Sequence, residues 1–93
     1  MPNRLGLLEM LDSGCHVLVH LKRPKVFGTG VFQYVWGRSE YERVGSILFI
    51  RIGGFTKELL ILPEEIIFAQ LSEEKPVSEG ILLLDDEFND VLH

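Results

Sequence analysis

From Cys15 onward the chain alternates apolar and polar residues with a period of two. Val17, Val19 and Leu21 fall on one side of an extended backbone and His16, Leu18, His20 and Lys22 on the other, which predicts a first strand. Ahead of it, Leu5, Leu8 and Leu11 recur every three residues, with Asn3 placed to cap and Ser13-Gly14 placed to stop, so the spacing predicts a short N-terminal helix. Gly6 weakens that helix by about 1 kcal/mol relative to Ala, and it needs a surface to pack on. Arg23-Pro24-Lys25 predicts a turn, because Pro has no N–H for a ladder. Val26 to about Trp36 predicts a second strand, long and curled where Gly28 and Gly30 permit bending. The polar stretch from Gly37 to Gly45 predicts a long loop or hairpin tip. A third strand is expected over Ser46 to Ile52, a two-residue hairpin at Gly53-Gly54 and a fourth strand over Phe55 to Leu62. Pro63-Glu64-Glu65 predicts one tight turn of the 3₁₀ kind, and Ile66 to Leu71 a fifth strand. Residues 72 to 80 read as a linker and Ile81 to Leu84 as a last apolar run.

A short helix followed by five short strands, one bent at glycines, is the pattern of a mainly β fold: a small, strongly bent antiparallel barrel. Its spacing fits Sm-like and SH3-like topologies equally. A chain of 93 residues leaves room for one such core. Residues 1–71 are expected to form the barrel with its helix, and residues 72–93 a linker and an acidic, apolar tail. The later strands carry more apolar surface than one barrel interior absorbs. Ile47 to Ile52 is interrupted only by Arg51, and Leu59-Leu60-Ile61-Leu62 and Ile66-Ile67-Phe68 do not alternate, so both faces or a face and an edge must be covered. Helix and tail can cover part. An edge that pairs with another copy covers the rest, and repeated head-to-tail pairing closes into a ring, so a homo-oligomer is expected with Leu59, Leu60, Ile61, Leu62, Ile66, Ile67 and Phe68 at the contact.

Charge is uneven along the chain. The net charge is −5, yet only Lys75 offsets the carboxylates after residue 60, and Asp85, Asp86, Glu87 and Asp90 crowd the end. Overall acidity excludes diffuse binding to a polyanion; any nucleic-acid contact must be local. The single cysteine, Cys15, can close no internal bridge, which suits a reducing cytoplasm, and neither a signal peptide nor a membrane span is visible, so no membrane partner is expected.

The N-terminal helix, the hairpin strand Val17-Leu18-Val19-His20-Leu21-Lys22, the basic turn after it and Phe27-Gly28-Thr29-Gly30-Val31-Phe32 together resemble the first motif of the Sm-like family, over roughly residues 4 to 71. The resemblance implies a five-stranded bent barrel that assembles into rings by pairing its fourth strand with the fifth of the next subunit and that binds single-stranded RNA. A divergent member, of the kind carried by phages, fits the pattern. Two departures stand out. Tyr34-Val35-Trp36-Gly37-Arg38-Ser39 lacks the Asp and Asn with which family members hold a base, and Leu62-Pro63-Glu64-Glu65 stands where Arg-Gly is common. Fold and assembly mode carry over; no pocket residue does.

His16 and His20, four apart on a strand, are about 13 Å apart and cannot share a zinc ion, and no other spacing suits a metal site. Gly28-Thr29-Gly30 is too short for a phosphate loop. No catalytic motif is present, and neither enzymatic activity nor a cofactor is expected. The best nucleic-acid candidates are Lys22, Arg23 and Lys25 at one hairpin, with Tyr34, Trp36 and Arg38 at the end of the next strand, where cations hold phosphates and rings stack bases. Core packing is the competing role for Tyr34 and Trp36, which share a face with Phe32. The rival function is an SH3-like protein–protein interaction module, without nucleic acid, in which those aromatics line a peptide groove.

Overall fold

The computed structural model describes residues 9–11, 14–28, 30–54, 57–77 and 79–84. They form one mainly β unit: β1 (His16–Phe27), β2 (Gly30–Val44), β3 (Ile47–Gly53), β4 (Glu58–Ile61), a 3₁₀ turn (Pro63–Glu65), β5 (Ile66–Leu71) and β6 (Ile81–Leu83). The strands lie in the order β4-β3-β2-β1-β5, antiparallel throughout, and β6 joins β2 in parallel. No ladder joins β4 to β5, which are the two ends of that order.

Alternation sets the two faces. Val17, Val19, Leu21, Val35, Ile50, Ile52, Ile61, Ile66, Leu82 and Leu84 gather with Leu11 on the inner face as the buried core. Residues 9–11 are helical and Leu11 is fully buried; the rest of the expected N-terminal helix lies outside the described residues. On the outer face stand His16, Leu18 and His20 of β1, with Tyr34 and Trp36 opposite on β2.

Four expectations change. The first turn is not at Pro24: β1 runs on to Phe27, and Pro24 sits where the β1–β2 register shifts between His20 and Lys25, a bulge in which a missing N–H costs little. The chain instead reverses at Gly28, whose φ of 61° suits glycine. The polar stretch from Gly37 onward is no loop. Its charges alternate with Ser39 and Tyr41, and Glu40 lies opposite Arg51 in the β2–β3 ladder, so these residues form the outer half of β2. The turn follows at Gly45-Ser46, with positive φ at Gly45 alone, the pattern of a type II′ hairpin. Third, Gly53-Gly54 is not a two-residue turn: Gly53 pairs with Glu58 and Gly54 donates to Lys57 O at 2.9 Å, so β4 is shorter than expected. Phe55 and Thr56 lie outside the described residues. The 3₁₀ turn and β5 lie where the sequence places them.

The fourth concerns the last apolar run, of which Ile81–Leu83 add a sixth strand to the sheet. β6 occupies the β2 edge at Tyr34–Trp36, directly beyond the end of β3, and Leu84 N–H donates to Trp36 O at 2.9 Å. Leu82 and Leu84 enter the core at 9% and 1% exposure. Gly37 makes room for this: a Cβ there would stand 2.9 Å from Ile52 Cγ2 and 3.4 Å from Leu84 Cβ. Leu84→Ala should therefore cost about 2–5 kcal/mol in urea unfolding; a variant with an unchanged midpoint would mean that the tail is not core.

Candidate functional site

Two features of the surface invite partners: the free edges of the sheet and the β1–β2 hairpin.

In an antiparallel ladder, hydrogen-bonded and non-bonded pairs alternate. Ser72 N–H donates to His16 O at 3.0 Å, which makes 16/72 a bonded pair. By alternation 18/70 and 20/68 are also bonded, whereas 17/71 and 19/69 are not. The peptide groups of Ala69 and Leu71 therefore point away from β1, along the open side of β5. The same reasoning from the two-residue turn at Gly45-Ser46 carries across β3 and leaves Glu58 and Leu60 pointing along the open side of β4. Apolar side chains line these edges. Ile67 is 52%, Phe68 43% and Leu71 57% exposed, and Leu60 is a half-buried leucine on the outer face.

The seven apolar contact candidates thus separate. Ile61 and Ile66 are buried in the chain's own core, and Leu59 packs against it. Leu62 is half-buried before the 3₁₀ turn, where its N–H donates to Glu65 Oε2 at 2.9 Å. Leu60, Ile67 and Phe68 face outward. Leu71, on the inner face opposite Val17 yet 57% exposed at the open edge, was not singled out by the sequence, because its edge-facing geometry depends on the ladder phase.

The cationic and aromatic candidates also separate. Lys22 and Arg23 are exposed on the β1 bulge and, with Glu64 and Glu65, line a hollow of about 340 Å³. Lys25 Nζ lies 3.2 Å from Glu65 Oε1. Arg38 is opposite His16, at the other end of β1 and roughly 20 Å from Lys22 at the rise of an extended strand.

Trp36 does not serve as a stacking platform. It is fully buried, its ring stacked on His16 at 4.7 Å and its Nε1–H donating to Ser72 O at 2.7 Å, so neither face reaches a base. The start of the linker is held down at the same place, with Glu73 Oε1 3.7 Å from His16 Nδ1. Tyr34 is 37% exposed but stacks on His20 at 4.4 Å and 17°, while Phe68 meets His20 edge-on at 5.2 Å. Rings stacked at about the spacing of neighbouring strands stand upright on the sheet and present edges to solvent. This row of Tyr34, His20 and Phe68 across three strands was not visible in sequence, since it depends on the β1–β5 register.

On the opposite wing Arg51 gathers three carboxylates. Its Nη2 donates to Glu40 Oε2 at 2.6 Å, and Glu42 and Glu58 lie within 3.8 Å of Nη1. The hydrogen bond to Glu40 chiefly, with the three negative charges, raises the Arg51 pKa above its ordinary value. That cation is committed to the fold and offers little to a phosphate.

Among the described residues no group of three His, Cys, Asp or Glu could hold a metal ion, and no helix is long and apolar enough to cross a membrane. No protein-family model matches the chain, and no curated protein and no solved structure is significantly similar to it.

Trp36 is the only tryptophan in the chain. Its emission should be that of a buried indole, resist iodide quenching, and stay unchanged when single-stranded RNA is added; a shift on addition would return Trp36 to the binding surface.

Proposed function

We propose that this chain is a ring-forming module of the Sm-like kind, in which the free edge of β4 pairs with the free edge of β5 on the next copy. The observation that carries this reading is that the sheet ends in two strands whose open-side peptide groups have no strand partner among the described residues, with Leu60 at one edge and the exposed Leu71 at the other. Open edges of this kind recruit strands unless they are blunted, and a heterologous contact repeated by rotation closes into a ring.

Two further points support it. The core draws on both end strands, with Ile61 at 0% and Ile66 at 6% exposure. A flat sheet of one layer exposes both faces, so the sheet is read as strongly curled, an open barrel. In a curled protomer the inner faces of β4 and β5 look in opposite directions. The edge-facing residues of β4, Glu58 and Leu60, belong to the outer face, and those of β5, Ala69 and Leu71, to the inner face. Bonded partners in an antiparallel junction share a face. The junction therefore runs the outer face of one copy into the inner face of the next, the arrangement that curled protomers side by side require. It also accounts for the run Leu59-Leu60-Ile61: the flanking residues pack in their own core and Leu60 toward the neighbour's. Covering each such half-exposed side chain contributes on the order of 1 kcal/mol.

Single-stranded RNA is the second reading of the function. In its favour stands one observation, that residues 13–39 hold four cations and no carboxylate. An SH3-like interaction module is the monomeric rival, and mass in solution separates it from the ring.

Leu71→Pro removes an N–H that faces the open edge and spares the β1 ladder, where Pro is tolerated. The variant should keep its fold by circular dichroism and sediment as a monomer. Leu60→Lys should do the same by placing a charge at the junction. Either variant retaining the wild-type assembly mass while folded would overturn the reading.

A further inference from the structure

The β1–β2 hairpin ends in an apolar pair. Val26 and Val31 face each other across the ladder at 74% and 63% exposure, the largest such pair at any turn described. Phe27 and Phe32, half-buried, pack from beneath it against the core and hold the tip in place. Gly28 turns the chain at φ 61°, and Gly30 lets the Phe32 ring lie against the backbone, since a Cβ there would stand 2.6 Å from that ring. The tip is thus a fixed aliphatic point, with its packing directed inward and its methyl groups outward.

The charge around it has one sign along the strand. Lys22 and Arg23 are exposed on the bulge, three to four residues behind Val26, at most about 10–13 Å away because the chain is not fully extended there. Two carboxylates stand near them. Glu65 is taken up by Lys25 and by the N–H of Leu62, and Glu64 shares the hollow with Lys22 and Arg23. The local balance of these groups is positive by one, in a chain whose net charge is −5.

The geometry points to the surface of an anionic phospholipid bilayer as the partner of this hairpin. Aliphatic side chains at an exposed tip gain by entering the boundary between headgroups and acyl chains, which lies about 5–10 Å deep, and cations set back by a similar distance then meet the phosphates. A single-stranded nucleic acid would use the same cations but would require ring faces beside them, and the most exposed side chains of the tip, Val26 and Val31, are aliphatic. The attachment is peripheral, and one tip with two valines binds weakly. Copies held in a ring would multiply it by avidity, but the contact itself does not depend on assembly.

The test is co-sedimentation of the full chain with vesicles of phosphatidylcholine alone and of phosphatidylcholine with 30% phosphatidylserine, at low and physiological salt. The wild type should partition at least tenfold more strongly onto the anionic vesicles, and less so as salt rises. Val26→Ser with Val31→Ser should abolish partitioning while leaving the thermal midpoint within a few degrees, as expected of exposed positions; Lys22→Glu with Arg23→Glu should abolish it as well. In a Val31→Trp variant, brominated lipid should quench tryptophan emission. The same measurements on Leu71→Pro keep the idea separate from ring formation: partitioning weakens there, but its dependence on Val26 and Val31 persists. Absence of partitioning onto anionic vesicles, or partitioning unaffected by the two valines, overturns the proposal. So does binding to a labelled oligouridine that requires Lys22 and Arg23 without any vesicle binding, which would assign the hairpin to RNA.

Discussion

Each peptide group of a strand points to one side or the other, and that alternation decides which parts of this chain can meet. β2 is the spine on which it operates. From Tyr34 on, its odd-numbered residues turn their peptide groups to β1, and its even-numbered ones turn theirs to β3 beyond Gly37 and to β6 before it. One edge is therefore shared end to end by two strands of opposite direction, with Gly37 thin enough at the junction for Ile52 and Leu84 to close over it. The same alternation, carried outward through β3 and β1, ends at β4 and β5 with peptide groups that have no strand partner among the described residues. Satisfying buried backbone polar groups is close to obligatory in folded proteins, and at a free edge only water or another strand can do it.

Much of the architecture was legible because it follows from local rules. The start of the first strand, the 3₁₀ turn and β5 are set by a period of two, by Pro63 and by the apolar run at Ile66, and they lie where those signals place them. The errors have a common origin. Pro24 and the polar stretch after Gly37 are breakers by composition, yet both lie inside strands. A bulge excuses the missing N–H of Pro24, and cross-strand pairing of Glu40 with Arg51 turns a charged stretch into one face of a hairpin. Such compensation comes from a partner distant in sequence, and no window along the chain contains it. β6 is a similar case. Four apolar residues after a linker are too few to declare a strand, and their place beside β2 is decided by the vacancy left where β3 ends.

The candidate surfaces show the same division. Exposure of Lys22 and Arg23 was readable from the proximity of a proline and from their charge. The fate of Trp36 was not, because its burial depends on His16 beside it and on the linker carbonyl of Ser72. The excess of apolar residues in the later strands had a simple explanation once faces were assigned. Ile61 and Ile66 serve the chain's own core, Leu60, Ile67 and Phe68 face outward, and Leu71, on the inner face, is left exposed at the open edge of β5. Sequence alone could count that excess but could not say which residues made it up.

Amide hydrogen exchange on the intact protein tests the central idea most directly, because it reads the edge groups themselves. If β4 and β5 join between copies, the amides of Leu60, Ala69 and Leu71 are protected at high protein concentration and lose protection on dilution, while the β1–β2 ladder stays protected throughout. If those three amides exchange at the rate of open backbone at every concentration, the edges meet only water and the account of a self-assembling sheet is wrong.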